Sequence, residues 1–384
     1  MQQGKRSSVI LLLVTTTICL ILGEVIVALI APQQTISVVR GNAPRIFRES
    51  DYLPYELLPG AESAHTTPEF STPIRINSHG YRGPDFEREK RGHLRILVLG
   101  DSFTFGHGVT ENETYSAVLG RALTQADPGR PIEVINAGYA SCNYPDTYYL
   151  YLRKAGLALE PDIVVVGFFI GNDIDRQGHM LHEWTQVDSS GLPLRIVGRA
   201  AHVEDGYWVS NRRAARHRLP LVRSSHLAQA VITALGRLRA GPRSPVFNEV
   251  IYLEEYPDHA AEAAARVRRM FAAMKALTDE SGAELVVLEI PTYEQVFPQL
   301  VFGESGSLGG LDLLKPQREF NEFFSEVGIS YLDLLPEFQD YAPGESLYFH
   351  SDQHWTALGH ELAGKRLAEW LLSAGAFRSA TVVP

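Results

Sequence analysis

Cysteine is all but missing: Cys19 and Cys142 are the only two in 384 residues. Two thiols cannot build a disulfide framework, so the fold must rest on its core, and this length allows a large one. Cys19 lies in an apolar run and Cys142 in a loop, and neither is expected to be bridged. Positive charge is also short, with 35 Lys and Arg against 45 Asp and Glu and a formal net charge of -10. That balance argues against a nucleic-acid partner, which needs concentrated basic side chains. The basic run Arg212, Arg213, Arg216 and Arg218 is local and reads as a solvated loop. There is no G-x-G-x-x-G and no Walker lysine, so nucleotide binding is not expected and no cofactor is implied. Repeats and low-complexity tracts are missing as well.

The longest apolar run, residues 9–31, is broken only by threonines, Cys19, Gly23 and Glu24. At about 1.5 Å per residue it is long enough to cross a hydrocarbon core of about 30 Å. A cleaved signal peptide would be shorter and end in a small-residue site, and Ala28-Leu29-Ile30 is a poor one. Lys5 and Arg6 precede the run, so residues 1–8 are expected in the cytosol, residues 9–31 in the membrane and the bulk of the chain outside, periplasmic or extracellular. Glu24 reads as a carboxyl near the outer interface. Residues 32–94 carry scattered Pro, Gly, Ser and Thr and are expected to form a stalk that wraps onto a domain spanning 95–384.

Within that domain five short apolar runs alternate with amphipathic segments. The runs are residues 96–99, 132–135, 163–169, 285–290 and 329–332; the helical patterns are 114–126, 145–155, 260–280, 315–327 and 356–373. Near-continuous Val, Ile and Leu mark strands buried on both faces, and their alternation with helices predicts a parallel sheet in a three-layer α/β/α sandwich. An insertion, about residues 174–256, separates the third and fourth strands. It is expected to hold a hairpin, with arms 184–187 and 192–197, and a helix near 227–238. Insertions of this size serve as lids or binding surfaces.

Polar residues follow each strand. They are Gly100-Asp101-Ser102 after the first, Asn136-Ala137-Gly138 after the second and Gly171-Asn172-Asp173 after the third. Ser351-Asp352-Gln353-His354-Trp355 follows the fifth, beyond a loop. Ligands bind outside the carboxyl ends of strands in open α/β sheets, so these groups converge where a site should form. Ser102 at a strand-to-helix junction can act as a nucleophile once a base takes its proton, and His354 is the candidate base. Asp352 can hold the other imidazole nitrogen in the right tautomer. The Ser102 and Gly138 N–H groups and the Asn172 amide are the candidate oxyanion donors. Taken singly, each has a blander reading as a helix cap, a turn glycine or a turn polar residue. Asp101 reads as a structural acceptor rather than the triad acid. A metal site drawn from His350, Asp352 and His354 is disfavoured, and a G-x-S-x-G elbow fails because Thr104 stands at its second glycine.

These blocks, in this order, resemble the four signatures of the SGNH (GDSL-type) hydrolase superfamily across about residues 95–372, the insertion excepted. The resemblance implies a flavodoxin-like sandwich preceded here by one transmembrane helix. It also implies Ser102 as nucleophile, Asp352 and His354 as the rest of a triad, and Gly138 and Asn172 in the oxyanion hole. The third block departs from the family's G-x-N-D, with Ile170 in the glycine position. Asp352-Gln353-His354-Trp355 resembles the D-x-H-W form of bacterial polysaccharide O-acetylation proteins. The expected activity is an esterase acting on an O-acyl, above all acetyl, ester through an acyl-serine. Alternatives are an O-acyltransferase to a glycan and a non-catalytic carbohydrate-binding protein. The implied partners are an acylated small molecule, lipid or glycan, and the membrane.

Overall fold

The computed structural model describes residues 2–33, 35–140, 143–174, 185–197, 201–210, 219–239, 249–302, 310–341 and 346–374. Cys142, the basic run 212–218 and much of the inserted segment lie outside them. The chain divides into two compact units, one of Met1–Pro44 with Ala200–Pro245, the other of Arg45–Arg199 with Val246–Pro384.

The larger unit is built on five parallel strands: β1 (Leu94–Gly100), β2 (Ile132–Gly138), β3 (Ile163–Phe169), β4 (Glu284–Ile290) and β5 (Ser330–Asp333). Their order is β5-β4-β3-β1-β2, every neighbouring pair running parallel. The five apolar runs of the sequence are thus the five strands, and the three-layer sandwich is the observed architecture. Strand periodicity assigns alternate residues to opposite faces. Ile96, Val98, Val165 and Leu288 join a core with Leu119, Leu123, Leu367 and Leu371 of the helices Tyr115–Ala126 and Ala357–Ala374. On the other face Phe168 packs against Phe271 and Phe320 of the helices Asp258–Ser281 and Lys315–Val327. After β1 the chain adds β2 on one side and β3 on the other, so the order reverses at the carboxyl end of β1. That is the switch point, and Ser102 is two residues beyond Gly100.

Residues before β1 belong to this unit from Arg45 onward. A hairpin of Glu62–Thr66 and Ser71–Arg75 is followed by an isolated bridge from Arg82 to Asn136 of β2. From the inserted segment, the hairpin of Thr185–Val187 and Pro193–Ile196 also belongs here, with the Ile196 N–H donating to Tyr52 O.

In the smaller unit, α1 (Gln2–Ile30) is the apolar N-terminal helix, and Ser8–Ile30 is long and apolar enough to cross a membrane. A second helix, α2 (His226–Arg239), comes from the inserted segment close to where the sequence placed one.

Candidate active site

Two glycines at neighbouring strand ends let a single helical turn, Ser102–Phe105, settle onto the sheet edge. At Gly100, with φ +157°, a Cβ would lie 2.0 Å from Thr104 Oγ1. At Gly138 it would lie 2.3 Å from the Phe105 nitrogen and 2.6 Å from the Thr104 carbonyl carbon. Asp101 caps this turn: its Oδ1 accepts from Phe103 N–H and its Oδ2 from the Asn172 amide, both at 2.9 Å. It is the structural acceptor expected of it. Burial raises the Asp101 pKa, offset in part by those bonds. Ser102 comes first in the turn, so its N–H has no intrahelical acceptor.

The base arrives from the far end of the chain on a tight loop. Phe349 N–H donates to His354 O, Gln353 N–H donates to Phe349 O, and Gln353 adopts a left-handed φ of +63°. Trp355, fully buried, anchors this loop against Phe103 and Phe338, and the Phe103 ring lies 4.9 Å from that of His354. His354 Nε2 is then 2.7 Å from Ser102 Oγ, and its Nδ1 is 2.6 Å from Asp352 Oδ1. A carboxylate can only accept, so Nδ1 carries the proton, Nε2 is bare and the Ser102 hydroxyl donates to it. Burial pushes the Asp352 pKa up, but His107 and His354 outweigh it and hold this carboxyl well below the ordinary range.

Three contributors carried no signal of their own in the sequence. His107 Nε2 stands 3.5 Å from Asp352 Oδ2, the long limit of a hydrogen bond, and its ring lies 4.4 Å from His354's. Burial lowers the His107 pKa to about 4, with Asp352 opposing, so at neutral pH it is an uncharged neighbour. Glu69, at the hairpin turn, accepts from the Ser351 and Asp352 N–H groups at 2.9 and 2.8 Å. Arg82, 2% exposed, donates to the carbonyls of Phe105, Gly106 and Val109, which end the nucleophile's turn. The segment before the sheet thus holds both the nucleophile and the base loop. Tertiary roles of this kind have no local periodicity to read.

The expected oxyanion donors differ in what they do. Asn172 lies beside Ser102's turn with one amide N–H given to Asp101, leaving its second N–H to serve a ligand. The Gly138 N–H donates to Asn136 Oδ1 at 2.9 Å, so in this structure that candidate donor is already engaged. Asn136 also donates to Thr104 O and Ser116 Oγ, tying β2 to the nucleophile's turn. The backbone of Thr104 and Phe105 approaches so closely that position 138 requires glycine. Asp173 is structural, accepting from Phe169 N–H and the Tyr148 hydroxyl, and burial raises its pKa well above the usual range. His350 is exposed and stands apart from the cluster. The described side chains whose donor atoms lie within 4.8 Å of one another are His107, Asp352 and His354. Both His354 nitrogens are already hydrogen-bonded, so an ion there would have to displace Ser102 or Asp352.

Residues 248–381 match the family model ALGX, the SGNH hydrolase-like domain of the acetyltransferase AlgX. The match contains Asp352 and His354. No curated protein matches the chain. Among solved structures, the acetyl xylan esterase AlAXEase is 13% identical, with a TM-score of 0.40, over 73% of this chain and 99% of its own. TesA is 14% identical, with a TM-score of 0.38, over 75% and 99%. An acetylxylan esterase from Geobacillus stearothermophilus is 14% identical, with a TM-score of 0.37, over 77% and 99%. In its ordered blocks, its sheet and its family match, the chain resembles the SGNH hydrolases, and over residues 248–381 the AlgX-type acetyltransferase domain.

Proposed function

We propose that the protein is a membrane-anchored serine esterase of the SGNH type that acts outside the cytoplasm on an O-acetyl or related ester. The observation that carries this reading is the Ser102–His354–Asp352 relay, with contacts of 2.7 and 2.6 Å, at the sheet's switch point. Ser102 Oγ attacks the acyl carbon while His354 Nε2 takes its proton, and the imidazolium is balanced by Asp352. The carbonyl oxygen gains its negative charge beside the Ser102 N–H and the Asn172 amide, which donate to it. Collapse expels the alcohol, protonated by His354, and leaves an acyl-serine. Water, activated by the same histidine, then releases the acid and restores the serine.

A second reading replaces water by a sugar hydroxyl, giving an O-acetyltransferase to a glycan. The AlgX match over the base-bearing part of the chain favours it. Both readings share the first half-reaction and differ only in the acceptor. The test is to incubate the purified protein with an acetyl ester, with and without an oligosaccharide, and to follow acetate release and acetyl transfer together. Acetate release that the glycan does not suppress supports the esterase. Acetylated glycan formed at the expense of acetate supports the transferase. No turnover in either arm, with Ser102 unreactive to a phosphonate, would favour a binding protein.

A further inference from the structure

The apolar run of α1 is interrupted by Gly23 and Glu24, and both interruptions are used by the inserted helix α2. A Cβ on Gly23 would lie 3.2 Å from Leu227 Cδ2, so the missing side chain is where Leu227 packs. Glu24 accepts from three donors at the start of α2: His226 N–H at 2.6 Å, Ser225 Oγ at 2.6 Å and Leu227 N–H at 2.9 Å. A helix N-terminus presents unpaired N–H groups and partial positive charge, so a carboxylate from outside the helix satisfies both. Gln33 N–H, just beyond α1, donates to His226 Nδ1 at 2.8 Å. Four hydrogen bonds and the Gly23–Leu227 packing therefore fix the register of the two helices over a separation of about 200 residues.

Further along the stripe that starts at Leu227, α2 has less cover. Val231 and Leu235 are each 49% exposed, and the apolar stretch His226–Leu235 is too short to cross a bilayer. Leu20, Ile21 and Val25 of α1, exposed themselves, line one cleft with Leu227 and Ala228 at the start of this stripe. We propose that α2 is an intramembrane helix, docked on Gly23 and Glu24 of α1, with Val231 and Leu235 facing lipid acyl chains. The inference rests on reading α1 as a membrane span. It implies that α1 is retained in the mature protein, since cleavage would strip α2 of its capping carboxylate. Inside hydrocarbon an uncapped helix start is costly, and so is an unpaired carboxylate; each removes the other's penalty.

The test uses the full chain in phosphatidylcholine vesicles, in a Cys19→Ser, Cys142→Ser background. Cysteines at Gly23 and Leu227 should be joined in high yield by a short bifunctional thiol reagent, whereas a control pair at Ile10 and Leu227 should not. Adding Glu24→Ala should lower the yield several-fold. Nitroxides at Val231 and Leu235 should be relaxed by oxygen and shielded from a water-soluble nickel chelate. Relaxation by nickel would place this face in water, and shielding from both would put a protein against it; either overturns the proposal. Carbonate extraction tests the anchor separately. A protein that is extracted loses the anchor and the inference together, while a retained protein without the 23–227 link loses only the docking.

Discussion

Replacing Gly138 by alanine separates two roles that one glycine could play. Alanine keeps the backbone N–H, so a role as hydrogen-bond donor would survive the change. The added methyl carbon would be born 2.3 Å from the Phe105 nitrogen and 2.6 Å from the Thr104 carbonyl carbon. Ordinary contact needs about 3.4 Å or more, and neither partner is a side chain that can swing away, so the turn must lift by about 1 Å. Forced overpacking of this kind costs about 3 kcal/mol, at the top of the usual range. The same displacement opens the 2.7 Å contact between Ser102 and His354, and a misplacement of about 1 Å costs about 100-fold in rate. Gly138→Ala should therefore lower the melting midpoint by about 6–12 °C and kcat on an aryl acetate by about 100-fold. Asn136→Ala is the companion: it frees the Gly138 N–H but removes three buried hydrogen bonds, and it should cost about 2–4 kcal/mol of stability and a comparable share of activity. Thermal melts and initial rates on the two variants suffice. Wild-type stability and turnover in Gly138→Ala would refute the packing argument. A fully active Asn136→Ala would return Gly138 to the oxyanion hole.

Ser102→Ala should abolish ester turnover and labelling by a serine-directed phosphonate without unfolding the protein, and labelling that persists would reassign the nucleophile. His354→Ala should be nearly as damaging and the double variant little worse, because the pair acts as one unit; additive losses measured in kcat would break that link. Asp352→Asn removes a charge beside the imidazolium from a site about a quarter exposed, so a loss of about 2–3 kcal/mol, or about 30- to 150-fold in kcat, is expected. An unchanged rate there, with Asp173→Asn inactive, would move the role to Asp173. His360 is fully buried, accepts from Tyr115 N–H, and has its pKa lowered by burial, Arg82 and His354 to about 3. The unfolded chain, with an ordinary histidine near 6.5, binds that proton first, so stability falls as pH drops from about 6.5 toward 3. At pH 4.5 the penalty from this residue is about 3 kcal/mol. In denaturant titrations His360→Gln should flatten that part of the profile, and an identical slope in the variant would contradict it.

Strands and the base loop were legible because each is a local pattern: an apolar run bounded by polar residues, or a carboxylate two places before a histidine. The sheet order is not contained in those runs, because right-handed parallel connections allow several orders. Contacts that position the site were hidden. Glu69, Arg82 and His107 are ordinary polar residues in sequence, and they matter only because the hairpin and the nucleophile's turn meet across the chain. Gly138 shows a related limit, since a glycine that admits a close neighbour does not say which neighbour. Glu24 stood out as an oddity in an apolar run, but its partner lies 201 residues away at Ser225. The third block's exchange of Gly for Ile170 proved harmless to placement: Ile170 is fully buried and Asn172 still reaches Asp101.

Ser102 and His354, the proposed nucleophile and base, are 252 residues apart in the larger unit. As the chain grows from its N-terminus, Ser102, its Asp101 cap and the Arg82 clamp are all made long before His354 exists. Glu69 waits as long for the Ser351 and Asp352 N–H groups it will hold. Closing a loop of that length costs about 5 kcal/mol of chain entropy, which only the packed core and the buried Trp355 can offset. A nascent chain that has not yet reached residue 354 carries Ser102 without the imidazole that the proposed reaction needs.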